Sequence, residues 1–158
     1  MNMAENIRGK GVISGIAIGS AMLVGQNLDG YLAAYHPDGI DAEQKKAEHA
    51  LAAVTEHLLH TVDRLRNDGQ TEQAAILEAH RMMVQDPMMA ENIRAKIAVS
   101  GNAPRSILSV ADDQAKIFEQ MEDEYFAARA VDLRDVGKRI AKYVLGVKEP
   151  EPGAGQLI

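Results

Sequence analysis

Through most of the chain apolar residues recur three or four positions apart, the period of a helix with one buried face. Leu51, Val54, Leu58, Val62 and Leu65 form the first such stripe. Asp41 is placed to cap that helix, with Glu43 in its first turn, and Asn67-Asp-Gly69 closes it. Thr71 is placed to cap a second, methionine-rich helix. It ends at Asp86, because the residue before a proline is pushed out of the helical region. Pro87 can occupy the first position of a third helix, running to about Val99. Ser100-Gly-Asn-Ala-Pro104 is the next stop and start. It is followed by a stripe through Ile107, Val110, Gln114, Ile117 and Met121. Glu122-Asp-Glu124 supplies acidic residues to the start of the last helix, whose stripe is Phe126, Ala130, Leu133, Gly137, Ile140 and Val144, ending at Leu145-Gly146.

Both ends of the chain break this pattern. Residues 11–24 are uncharged, Gly-rich and β-branched, which predicts a strand over Ile16–Val24 with Gly19 at a bulge or close approach. Gly25 to Gly39 reads as a connector containing the turn signal Pro37-Asp-Gly39. Val147 to Gly155 reads as a linker, and Gln156-Leu-Ile158 as the start of another strand. One-sided helices need neighbours, so the predicted fold is mainly α, an antiparallel helical bundle over 31–146. It is flanked by strand fragments, 1–30 and 147–158, too small to make a sheet alone. The expectation is the front part of a larger protein, cut inside its second domain.

Composition narrows the class. A chain of 158 residues is one domain, or one domain and a piece of another. With 46% apolar residues but only 4% aromatic, the core must be aliphatic and rich in Ala and Met. No cysteine is present, which excludes a disulfide framework, a thiolate metal site and a cysteine nucleophile. No apolar run approaches the ~20 residues of a membrane span. The opening residues contain no apolar signal core, so a cytoplasmic address is expected. The net charge of −6 opposes nucleic-acid binding and leaves a basic protein partner open.

The segment Ala75 to Met89 holds four of the eight methionines, His80 and Pro87. Met is flexible and polarizable, so this is either an adaptable docking surface or a loosely packed core. Neighbouring helical residues lie about 100° apart, so the pairs Met82/Met83 and Met88/Met89 cannot both sit fully on one narrow buried stripe. Part of the cluster should therefore be exposed or shared with a partner. His80, among Ile76, Met82 and Met83, could be a hydrogen-bonded residue in a packed site, an interface contact, a ligand or a base. No Ser, Cys or paired acid stands at a spacing that would make a nucleophile system. Glu56 with His60, or His57 with His60, could share a helix face. A di-metal bundle, however, needs two Glu-x-x-His motifs, and Glu78 is followed three residues on by Arg81. The glycines near the start lack the Gly-Lys-Ser/Thr ending of a phosphate loop and any dinucleotide pattern. No metal site is therefore expected in this chain, and the usual reading of His80 is a satisfied polar group in a packed site.

Three segments together resemble one family. Gly15-Ile-Ala-Ile-Gly19 is similar to the first strand of Enzyme I of the bacterial phosphoenolpyruvate:sugar phosphotransferase system. Ala75-Ile-Leu-Glu-Ala-His80 with Asp86-Pro87 resembles its Glu-Ala-His…Asp-Pro segment. Asp123-Glu-Tyr-Phe-Ala-Ala-Arg-Ala-Val-Asp-Leu-Arg-Asp-Val-Gly-Lys-Arg139 resembles a long and specific motif of that family. The resemblance implies a helical subdomain that docks the phosphocarrier protein HPr, inserted in an α/β phosphohistidine domain truncated here. It implies that the complete enzyme, a homodimer, takes a phosphoryl group from phosphoenolpyruvate onto a histidine with Mg²⁺ and passes it to HPr. That histidine belongs to a Gly-Gly-x-x-Ser-His motif absent here, so the fragment alone is expected to be inactive and without cofactor; because the family dimerises through its C-terminal part, it is also expected to be monomeric. By matching position, HPr contacts fall on Glu72, Ile76, Glu78, His80, Met82, Met83, Asp86 and Met89, and on Phe118, Tyr125, Phe126 and Arg129. Two departures stand out: Ile13-Ser-Gly15 replaces the usual Ser-Pro-Gly, and Pro87 stands where some members carry an acid. The alternatives are the similar domain of the dihydroxyacetone-kinase phosphotransferase subunit and a non-catalytic helical adaptor.

Overall fold

The structure is a computed structural model that describes residues 28–121 and 123–147, and the backbone of Ser20–Ala21 and Gln156–Leu157. The chain divides into two compact units, 1–26 with 149–158, and 27–148. In the first, β1 (Ser20–Ala21) pairs in parallel with β2 (Gln156–Leu157), Ser20 opposite Gln156 and Ala21 opposite Leu157. The remainder of the strand expected over Ile16–Val24 lies outside the described residues.

The second unit is helical: α1 Leu28–Ala34, α2 Ile40–Asn67, α3 Thr71–Val84, α4 Pro87–Ser100, α5 Ala103–Glu119 and α6 Glu124–Val144. α5 and α6 form the most extensive pair, an antiparallel hairpin closed by a short connection. α2 and α3 form the next, and α4 packs on α5 and α2. Three of the starts are capped as their sequences suggest. Asp86 accepts from the Met88 amide at 2.9 Å with Pro87 in the first turn, Asn102 accepts from Arg105 at 3.0 Å, and Asp123 accepts from Tyr125 at 2.8 Å. Gly101, at φ 66°, ends α4 in the left-handed conformation that glycine tolerates best.

Four expectations are corrected. The connector predicted over Gly25–Gly39 contains α1, a seven-residue helix that buries nothing and so leaves no apolar period to read. Asp41 is not a cap: α2 begins at Ile40, with Gly39 before it. Thr71 is the first residue of α3, not its cap; Gln70 precedes it and its side chain caps nothing. In α5 the predicted stripe turns. Ile107 and Val110 are buried, but Ile117 and Met121 are 57% and 48% exposed, and Ala111 and Ala115 take the inner face.

The inner face of α2 runs Glu43, Ala47, Ala50, Val54, Leu58, Val62. Ala47, Ala50, Val54 and Leu58 of that face join Met89, Ile93 and Ile97 of α4, Ile107 of α5, and Leu133, Val136 and Ile140 of α6 in one aliphatic core. Small residues set how closely α5 and α6 approach. A Cβ placed on Gly137 would lie 2.4 Å from the Cβ of Ala111. Both atoms are anchored directly to helix backbone, so no side-chain rotation relieves the clash. Overpacking at this severity costs about 3 kcal/mol, against about 1 kcal/mol gained from alanine's better helix propensity. Gly137→Ala is therefore expected to destabilise by about 2 kcal/mol in urea unfolding, and Ala111→Gly in the same chain should recover part of that loss.

One charged residue belongs to the core. Glu43 is fully buried. Its Oε2 accepts from the Ala103 amide at 2.8 Å, the first amide of α5, and its Oε1 accepts from Lys46 Nζ at 2.9 Å. Tyr35 Oη donates into the carboxylate from 2.8 Å, and the Asp38 amide lies 3.3 Å from Oε1. Lys46 in turn donates to Asp38 at 2.6 Å. Burial pushes the Glu43 carboxyl upward, but the donors from Ala103, Lys46, Tyr35 and Asp38 together hold it below its ordinary value.

Candidate docking groove

The end of α3, the start of α4, the end of α5 and the start of α6 converge on a groove of about 420 Å³. Its walls are Met83, Asp86 and Met89 on one side, and Gln114, Ile117, Phe118, Tyr125, Phe126, Arg129 and Leu133 on the other. The helix junctions explain the convergence. Only Gln85 and Asp86 separate α3 from α4, which starts at Pro87, while the short connection after α5 folds α6 back along it. Phe118 and Phe126 face each other across that hairpin with ring centroids 5.7 Å apart and planes 9° from parallel. Tyr125 meets Phe126 edge-on at 5.4 Å, and the Arg129 guanidinium lies 5.2 Å over the Tyr125 ring. A shallower depression continues outward over Ala79, Met82, Gln85 and Pro87.

The methionine pairs are split as the helix geometry requires. Met82 and Met88 are 59% and 57% exposed, Met83 is half-buried, and Met89 is 1% exposed at the groove floor. The other candidates divide similarly. Glu72, Ile76, Asp86 and Tyr125 are exposed, whereas Glu78, Phe118, Phe126 and Arg129 are half-buried. Seven of the twelve sequence candidates line the groove: Met83, Asp86, Met89, Phe118, Tyr125, Phe126 and Arg129. Met82 lines the depression beside it. Glu72 and Ile76 lie further back on α3 and line neither.

Two candidates are not the open contacts that the resemblance implies. Glu78 is paired with Arg81, whose Nε donates to it at 3.0 Å, and that hydrogen bond holds the Glu78 carboxyl below its usual value. Arg81 also donates to Gln85 at 2.7 Å. The rim next to Met82 is therefore a neutralised pair. His80 is 8% exposed and does not face outward. Its Nε2 lies 3.2 Å from Asp132 Oδ1, and its Nδ1 is buried without a hydrogen-bond partner.

Sequence reasoning missed Ile117, Gln114 and Leu133 as groove residues, having assigned them to core stripes. Asp132 entered only as a position of the long motif and was given no role; the signals for one were that motif and its spacing of three from Arg129, which puts the two on one helix face. Among the described residues no group of three or more His, Asp or Glu is placed to hold a metal ion, and no helix is long and apolar enough to cross a membrane. His60 and Glu56 approach only to 3.8 Å, both largely exposed.

Comparison with known proteins places this geometry in context. The family described as PEP-utilising enzyme, N-terminal, matches residues 8–129. Phosphoenolpyruvate-protein phosphotransferases of Staphylococcus carnosus and Enterococcus faecalis are each 34% identical, over 155 and 152 residues, covering 95% of this chain and 26% of theirs. The chain thus spans about a quarter of the length of these curated relatives. An NMR solution structure of an Enzyme I protein is 33% identical with a TM-score of 0.64, over 68% of this chain and 44% of that one.

Proposed function

Since the chain belongs to the N-terminal family of PEP-utilising enzymes, we propose that it is the part of a phosphoenolpyruvate-protein phosphotransferase that docks the phosphocarrier HPr during sugar uptake in the cytoplasm. The observation that carries this is the groove at the α3–α4 and α5–α6 junctions, lined by thioethers and aromatic rings and edged by Asp86 and Arg129. A carrier must be bound and then released. A Met-rich surface suits that, since it repacks around an apolar knob at low strain. Tyr125, Phe126 and Arg129 are residue types that concentrate binding energy when they fill a desolvated pocket. The net charge of −6 draws a basic carrier in and raises the rate of encounter more than the final affinity.

In the whole enzyme the phosphoryl group passes from phosphoenolpyruvate to a protein histidine and then to HPr. Within that sequence of transfers, the role of this chain is to hold the carrier. Glu72 and Ile76 extend the contact along α3. His80 and Met89 support it from below.

Titrating HPr into ¹⁵N-labelled protein tests the proposal. The amides of Met82, Met83, Tyr125 and Arg129 should shift together and saturate. Shifts confined to the far side of α4, around Lys96 and Val99, would overturn it.

A further inference from the structure

The polar side of the groove has a support that reaches into the protein. Among the described residues lining the groove, Arg129 is the one cation. Its Nη1 donates to Asp132 Oδ2 at 3.3 Å, while its plane lies over Tyr125. The other oxygen of the same carboxylate, Oδ1, faces His80 Nε2 at 3.2 Å. A carboxylate only accepts, so Nε2 carries the proton and His80 donates. Nδ1, the other ring nitrogen, is buried and without a hydrogen-bond partner among the described residues. Buried polar atoms are nearly always paired.

We propose that Asp132 and His80 are positioning residues that fix the Arg129 guanidinium at the groove, so that it hydrogen-bonds a carbonyl or carboxylate oxygen of the docked carrier. The inference rests on the docking function proposed above. Arginine suits the task because its planar fork can spend one N–H on Asp132 and present others in a fixed direction. The relay crosses from α3 to α6, so it also ties the methionine-bearing helix to the arginine-bearing one. His80 is therefore assigned to act through Asp132 and not by touching the carrier.

Two measurements test this. The first is a double-mutant cycle read by calorimetric titration with HPr. Asp132→Asn and Arg129→Gln should each weaken binding roughly tenfold. The double variant should bind no worse than Arg129→Gln alone, because Asp132 acts only through Arg129. His80→Gln, which keeps a side-chain N–H, should bind more tightly than His80→Ala. Additive losses in the double variant, or unchanged affinity in Asp132→Asn, would overturn the relay. The second needs no carrier. The Arg129 guanidinium proton resonances should be resolved and slow to exchange in the free protein and lost in Asp132→Asn; no change there would also overturn it. A wild-type chain that shows this resonance pattern yet fails to bind HPr would instead refute the docking proposal.

Discussion

Glu43→Ala is expected to lower the unfolding free energy by about 3 kcal/mol, a large share of the 5–15 kcal/mol typical of a domain. The loss is not that of a surface ion pair. Lys46 is exposed enough to turn to water, but the Ala103 amide and the Tyr35 hydroxyl would lose an acceptor where water has little access. The damage should spread to the chain before α2, because Tyr35, Asp38 and Lys46 are organised around that carboxylate. Glu43→Gln keeps the shape and removes the charge, so it isolates the pH dependence. The folded-state value of Glu43 lies below its ordinary value of 4.5. Its contribution is therefore fully present above that value and is lost as the pH falls through and below it. Urea midpoints measured from neutral pH down to pH 3 should decline less steeply in Glu43→Gln than in the wild type. Equal slopes would mean that the carboxylate is not held in its charged form by these donors.

Glu43 also marks a limit of what is legible in the sequence. In a linear reading it is a favourable acid in a first turn. Its neighbours in space, Tyr35 and Ala103, lie eight and sixty positions away, and no local period announces them. By contrast, helix ends written by Asp86-Pro87, Asn102 and Asp123 are local chemistry, and they appear where the sequence puts them. Stripes are intermediate. Val54, Leu58 and Val62 are buried as their spacing requires. In α5 the close approach to Gly137 selects Ala111, and with it Ala115, over the larger Ile117 and Met121, and apolar periodicity does not rank residues by size. This displacement is informative for the site, since Ile117 is turned out into a groove wall instead of the core. Motif resemblance supplied most of the groove residues. It could not supply their exposure, and so it counted His80 among the carrier contacts and gave Asp132, a position of the long motif, no role.

The methionine segment gives the second large effect, as a dissociation between stability and binding. Met82→Asp should weaken HPr binding about a hundredfold while leaving the melting temperature nearly unchanged. Met82 is 59% exposed, so the folded protein loses little when it is replaced. The bound state loses more: an apolar contact disappears, and a carboxylate must be desolvated against the carrier's apolar surface. A hundredfold change corresponds to about 2.7 kcal/mol, within what one central interface residue can supply. Met89→Ala should do the reverse. At 1% exposure its thioether fills core space beneath the groove, and truncation should cost about 3 kcal/mol of stability. HPr affinity should then fall only as far as the groove floor sags. Thermal unfolding and calorimetric titration on the same two variants separate the effects. If Met82→Asp binds HPr within threefold of wild type, the exposed thioether is not part of the docking face. The alternation along α3 and α4 would then serve packing alone.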